Sequence, residues 1–76
     1  MASIRLRLEY PLARIGEPIF TRLVTDFDVQ PNVLAGNVDA SRGGWLLLGL
    51  TGENDTIERA TNWIRSTGIG VTEESA

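Results

Sequence analysis

Residues Trp45 to Leu50 read WLLLGL, six positions with no polar side chain among them. In an extended chain, Leu46, Leu48 and Leu50 point one way, and Trp45, Leu47 and the bare Gly49 point the other. A strand apolar on both faces belongs inside a sheet that is covered on both sides. The segment before it supplies a partner. Val33, Leu34, Ala35 and Val38 form a first arm, and Asp39-Ala40-Ser41-Arg42-Gly43-Gly44 carries turn formers and no large apolar residue. Pro31 to Gly52 is therefore predicted to be a hairpin. The whole chain has 76 residues. A chain of this length buries roughly 60% of the surface its unfolded form exposes. It can cover one face of such a strand well, so the other face needs further cover, and self-association would supply it.

The rest of the chain fits around that hairpin. Ile4, Leu6, Leu8 and Tyr10 alternate with Arg5, Arg7 and Glu9, the period of a half-buried strand over Ser3–Tyr10 that Pro11 ends. Gly16-Glu17-Pro18 opens a helix. Ile19, Phe20, Leu23, Val24 and Phe27 then form a broad apolar stripe at helical spacing, ending near Asp26 or Phe27. After the hairpin, Asn54 or Asp55 is placed to cap a second helix, and Asp55 with Glu58 fits a capping box. Ile57, Ala60, Thr61 and Ile64 make its inward face, with Trp63 at the margin. Gly68 stands where a left-handed residue would stop it. Ile69–Val71 is enough for a brief last strand, and the acidic tail from Glu73 is expected to fray.

Strand, helix, strand, strand, helix, strand with right-handed crossovers is a split βαβ. The predicted fold is α+β and ferredoxin-like, βαββαβ. Its four-stranded antiparallel sheet has order 4-1-3-2, with two helices on one face. Residues 1–76 form a single domain with an ordered core of about 3–72.

Composition removes several function classes. There is no Cys and no His, and the net charge is −3 with every basic residue an Arg. Disulfides, thiolate chemistry, the usual transition-metal ligand sets and His-based catalysis drop out together. A scattered set of seven arginines on an acidic chain does not suit nucleic acid. No apolar run approaches the roughly 18 residues of a membrane span, and no signal-peptide pattern opens the chain. The chain is expected to be soluble and cytoplasmic, with no cofactor and no direct membrane insertion.

At Pro31-Asn32-Val33-Leu34-Ala35-Gly36-Asn37-Val38 the chain resembles the NIL domain, named for an Asn-Ile-Leu signature that stands here as Asn32-Val33-Leu34. The resemblance runs over nearly the whole chain. It includes Asp26-Phe27-Asp28-Val29, the Gly44-to-Gly52 frame and Ala60-x-x-Trp63-Ile64. It implies a bacterial, non-catalytic regulatory domain with the ferredoxin-like fold. In methionine-importer ATPases such a domain is C-terminal, forms a homodimer and senses the amino acid. In cyanobacteria and other bacteria a similar domain precedes a two-cluster ferredoxin module.

By that resemblance Asn32 is a ligand contact, because an amide can both donate to and accept from an amino-acid backbone. An equally weighted alternative makes Asn32 an ordinary strand-opening residue bonded to its own backbone. Val33 and Leu34 complete the signature. Trp45, Leu47 and Gly49 form a shallow apolar strip flanked by Arg5 and Arg7, expected to be a dimer seam with a polar rim and, at that same seam, a site suited to a thioether such as methionine. The same strip could instead dock a ferredoxin or an ABC-transporter partner with no metabolite bound.

Two departures bear on the choice. The hairpin loop is shorter than in the transporter type, and Gly49 stands where the family often has Glu or another larger residue. The chain also carries no ATP-binding motif and no Cys cluster, so it is expected to be a stand-alone version or an excised piece. Catalysis of the acylphosphatase kind would need an Arg-bearing anion loop. The segment Tyr10-Pro11-Leu12-Ala13-Arg14-Ile15-Gly16 offers one Arg and one Gly without a phosphate cradle.

Overall fold

The structure is a computed structural model, and it describes residues 1–16 and 18–74. The strands are β1 Ala2–Tyr10, β2 Gln30–Asp39, β3 Gly43–Gly52 and β4 Gly70–Glu74. The helices are α1 Ile19–Phe27 and α2 Asn54–Ser66, and a 3-10 turn at Leu12–Arg14 follows β1. All strands are antiparallel in the order β2-β3-β1-β4. Read from the other edge, this is the predicted 4-1-3-2. No helix among the described residues is long and apolar enough to cross a membrane.

The two central strands are locked by matching apolar faces. Leu6 lies opposite Leu48, Leu8 opposite Leu46, and Ile4 opposite Leu50. Ile19 and Leu23 of α1 and Ile57, Ala60 and Ile64 of α2 close over them. Leu6, Leu8, Leu23, Leu48, Leu50 and Ile64 are completely buried. Each such side chain contributes about 1.5–3 kcal/mol of transfer free energy. The inward face predicted for α2 is therefore the observed one. Thr61, its one polar member, bonds the Ile57 carbonyl at 2.8 Å, so its hydroxyl is satisfied.

Four local expectations are corrected. The α1 stripe is narrower than its spacing suggested, with Phe20 39% and Val24 52% exposed. Those two residues lie around the helix from Ile19 and Leu23, beyond the sheet edge that would have covered them. The capping box does not form. Glu53 occupies the cap position without a side-chain bond, and Asp55 sits in the first turn, where the helix dipole favours a carboxylate. Gly43 and Gly44 belong to β3, leaving a turn of only Ala40–Arg42. Glu73 and Glu74 do not fray but pair with Leu6 and Arg5 of β1. The remaining tail lies outside the described residues, as does Glu17 before α1.

The helix ends follow their chemistry. Gly68, after α2, has φ of 96°, a left-handed conformation that costs glycine little. Asp28 takes the same role after α1 at φ 53°, and Val29 N–H closes back on Leu23 O at 3.0 Å. Trp63 stands at the margin of its helix as expected. Its ring is 5.4 Å from that of Phe27, and the Arg22 guanidinium lies 5.0 Å over it.

Candidate functional site

The sheet face away from the helices is open, and strand alternation decides what it presents. β1 contributes Ser3, Arg5, Arg7 and Glu9; β3 contributes Trp45, Leu47, Gly49 and Thr51. From β2 come Asn32 opposite Gly49, Ala35 opposite Leu47 and Asn37 opposite Trp45. The register shifts between Val33 and Ala35, leaving Leu34 as an extra, unmatched residue. This bulge puts Leu34 on the open face beside Ala35.

Two regions of the face differ in character. At one end, the Arg7 guanidinium lies 4.5 Å from the Trp45 ring centroid, and its Nε donates to Glu9 Oε1 at 2.7 Å. Arg7 is thus held between a ring face and a carboxylate, and its charge is already matched.

At the other end, Gly49 makes the floor of a groove of about 600 Å³. Its walls include Ser3, Arg5, Asn32, Leu34, Thr51 and Glu74. Ser3 Oγ and Thr51 Oγ1 lie 3.1 Å apart and bond to each other. Arg5 pairs in register with Gly49 on one side and Glu74 on the other. The ion pairs among the described residues are Arg7–Glu9 and Arg22–Asp26, so neither Arg5 nor Glu74 is engaged in one. The groove therefore offers one guanidinium, the carboxylates of Glu74 and its neighbour Glu73, an amide and an apolar wall around a bare floor. Such a set has the chemistry that the recognition of a small polar molecule requires. The Ser3 hydroxyl is paired with another hydroxyl and not with a base, so it is not an activated nucleophile.

Of the residues singled out in the sequence, Asn32 and Leu34 line this groove. Leu47 adjoins it along the same face of β3, and Trp45 lies one step further on. These four share a surface. Val33 does not, because it pairs with the buried Leu48 and so lies on the helix side of the sheet. Ser3, Thr51 and Glu74 were not anticipated as groove residues. Alternation along β1 and β3 places Ser3 and Thr51 on the open face, which is the signal that could have found them. Glu74 was hidden because the tail carried no strand pattern. Among the described residues no cluster of three or more acidic side chains is placed to hold a metal ion.

Comparison with known proteins places this geometry in context. The family model described as NIL domain matches residues 4–73. A curated relative, the methionine import ATP-binding protein MetN of Helicobacter hepaticus, is 28% identical over 57 residues. That alignment covers 71% of this chain and 16% of the relative, so the chain spans about one sixth of the relative's length. Among solved structures, the C-terminal domain of an ABC transporter ATP-binding protein from Enterococcus faecalis superposes with a TM-score of 0.81. The superposition covers 92% of this chain and 81% of that one at 22% identity, a likeness of fold.

Proposed function

The chain belongs to the NIL domain family, and on that premise we propose that it is a non-catalytic regulatory domain that senses an amino acid, methionine above all, at a homodimer interface. The observation that carries this reading is the charge pattern of the Gly49 groove. A free amino acid is a zwitterion, and the groove sets the Arg5 guanidinium and the Glu74 carboxylate on adjacent strands without a mutual ion pair. Arg5 would take the ligand carboxylate, since a guanidinium fork matches its geometry. Glu74 would take the ammonium, and the Asn32 amide would bridge donor and acceptor groups. The side chain would then run along Gly49, Leu34 and Leu47, where a flexible thioether packs well.

The similarity to a methionine import ATP-binding protein supports methionine as the first ligand to test, and an ABC-transporter ATPase, on the cytoplasmic side, as the setting. Calorimetric titration with methionine and a panel of other amino acids tests the reading. Saturable binding of methionine, weakened at least about 10-fold by Asn32→Ala, is the expected result. No binding by folded protein would overturn it. The open-face strip of Trp45 and Leu47 would then stand as a docking surface for a ferredoxin or transporter partner.

A further inference from the structure

A second groove lies on the helix side of the sheet, beside the first turn of α1. Its volume is about 410 Å³, and it is lined by Tyr10, Ile15, Ile19, Phe20, Val38 and Leu46. The ladder leaves room for it. Gly44 stands opposite both Tyr10 and Val38, and Gly36 stands opposite Leu46, so two positions of the hairpin carry no side chain there. No lining residue is charged, and the exposed Phe20 and Val38 mark its mouth. Tyr10 is its one polar side chain. The residue is only 8% exposed, and its hydroxyl bonds no group among the described residues. No fully buried side-chain polar atom among them lacks a partner, so this hydroxyl is not sealed away but faces the groove. A buried tyrosine usually places its O–H on an acceptor, and leaving the donor without one is costly. Phenylalanine would fill the same space without that cost. Burial pushes the Tyr10 phenol above its ordinary pKa, so it stays a donor at neutral pH.

We propose that this groove is a second ligand site, which takes a small neutral apolar molecule and meets its one acceptor oxygen, a ketone or ester carbonyl, with the Tyr10 hydroxyl. The volume lies in the range of about 300–1,000 Å³ in which small ligands are held, and such sites pair apolar walls with a few placed polar groups. Four aliphatic side chains and the Phe20 ring would cover the apolar body of the ligand. The ligand would in turn cover Phe20 and Val38, which the chain itself leaves exposed. Its charge follows from the lining. With no cation among the six residues, a carboxylate would be buried without a partner, and with no carboxylate among them an ammonium would be too. An amino-acid zwitterion does not suit such a site. The Gly49 groove, on the opposite face of the sheet, carries charge of both signs, so the two grooves select different chemistry.

The inference does not rest on the amino-acid reading, so the test uses the whole chain without amino acid. The probe is acetophenone, a ring with one carbonyl; ethylbenzene has its shape without the acceptor, and benzoate carries a charge. A methyl-resolved NMR titration is expected to show saturable acetophenone shifts at Ile15, Ile19, Val38 and Leu46, with none at Leu34 or Leu47 of the other face. Tyr10→Phe deletes only the hydroxyl and is expected to weaken acetophenone about 5-fold, the worth of one hydrogen bond, while ethylbenzene binds it as it binds the wild type. One measurement needs no variant: the carbonyl carbon of bound acetophenone is expected downfield of its position in an apolar solvent, as when the oxygen accepts a hydrogen bond. Four results would each overturn the proposal: no saturable shifts at this groove, an unshifted carbonyl carbon, benzoate binding as tightly as acetophenone, or equal acetophenone affinity in Tyr10→Phe. All four leave the Gly49 groove and its amino acid standing.

Discussion

Leu34 lies across Gly49. A methyl group built on Gly49 would sit 3.6 Å from Leu34 Cδ1 and 3.7 Å from the Asn32 carbonyl oxygen, both ordinary contacts. Gly49→Ala is therefore expected to raise stability by about 0.5–1 kcal/mol, read as a small increase in Tm, because glycine inside a strand is costly. Gly49→Phe must push Leu34 aside and fill the floor of the groove. Titration should show methionine affinity falling at least about 10-fold in that variant while the far-UV spectrum stays unchanged.

Gly44 behaves in the opposite way. A Cβ there would come within 1.9 Å of the Asn37 carbonyl oxygen and 2.8 Å of Val38 Cα. Both obstacles are backbone, so no rotamer change relieves them. Gly44→Ala should cost about 3 kcal/mol or more and lower Tm by more than about 10 °C. Gly52→Ala, whose nearest contacts are 3.5–3.7 Å, should leave Tm nearly unchanged.

Burial pushes the Tyr10 phenol above its ordinary pKa of 10.0. The folded chain thus holds this proton more tightly than the unfolded one, and its phenolate resists burial. The contribution is fully present below about pH 10 and is lost as pH rises through the higher folded value. Thermal melts at pH 8 and pH 11 should show a fall that is smaller in Tyr10→Phe.

The apolar surface divides sharply between core and periphery. Leu48→Ala removes a completely buried side chain between β1 and the helices and should cost about 2–5 kcal/mol in denaturant unfolding. Leu12→Ala, at a position 54% exposed, should fall within about 0.5 kcal/mol of wild type.

What could be read from the sequence followed periodicity. The alternation of Ile4, Leu6, Leu8 and Tyr10, the two faces of Trp45–Leu50 and the spacing of Ile57, Ala60 and Ile64 each report a local geometry that the sheet then enforces. Strand order followed from chirality and element count. Sheet boundaries were not legible. Phe20 and Val24 sit at helical spacing with Ile19 and Leu23, and only the place where the sheet stops makes them surface residues. Glu73 and Glu74 look like a tail because pairing with β1, not their own propensity, makes them a strand. The same limit applies to the candidate site. Asn32, Leu34, Trp45 and Leu47 were found through the signature and the apolar strip, whereas Ser3, Thr51 and Glu74 join the groove through register.

The unmatched Leu34 acts as a phase switch. Counting back from the turn, Ala35, Asn37 and Asp39 share the open face by strict alternation, and a regular ladder would carry Val33 there and send Asn32 toward the helices. The bulge absorbs that one residue and restores the parity, so the amide reaches the groove and the valine takes the opposite side. Loss of Leu34 itself would make the shortened ladder regular with Ala35, Val33 and Asn32 still opposite Leu47, Leu48 and Gly49, so only the leucine wall of the groove would go. An indel at this one position thus trims or restores the apolar wall beside Gly49 without touching the register of the amide next to it.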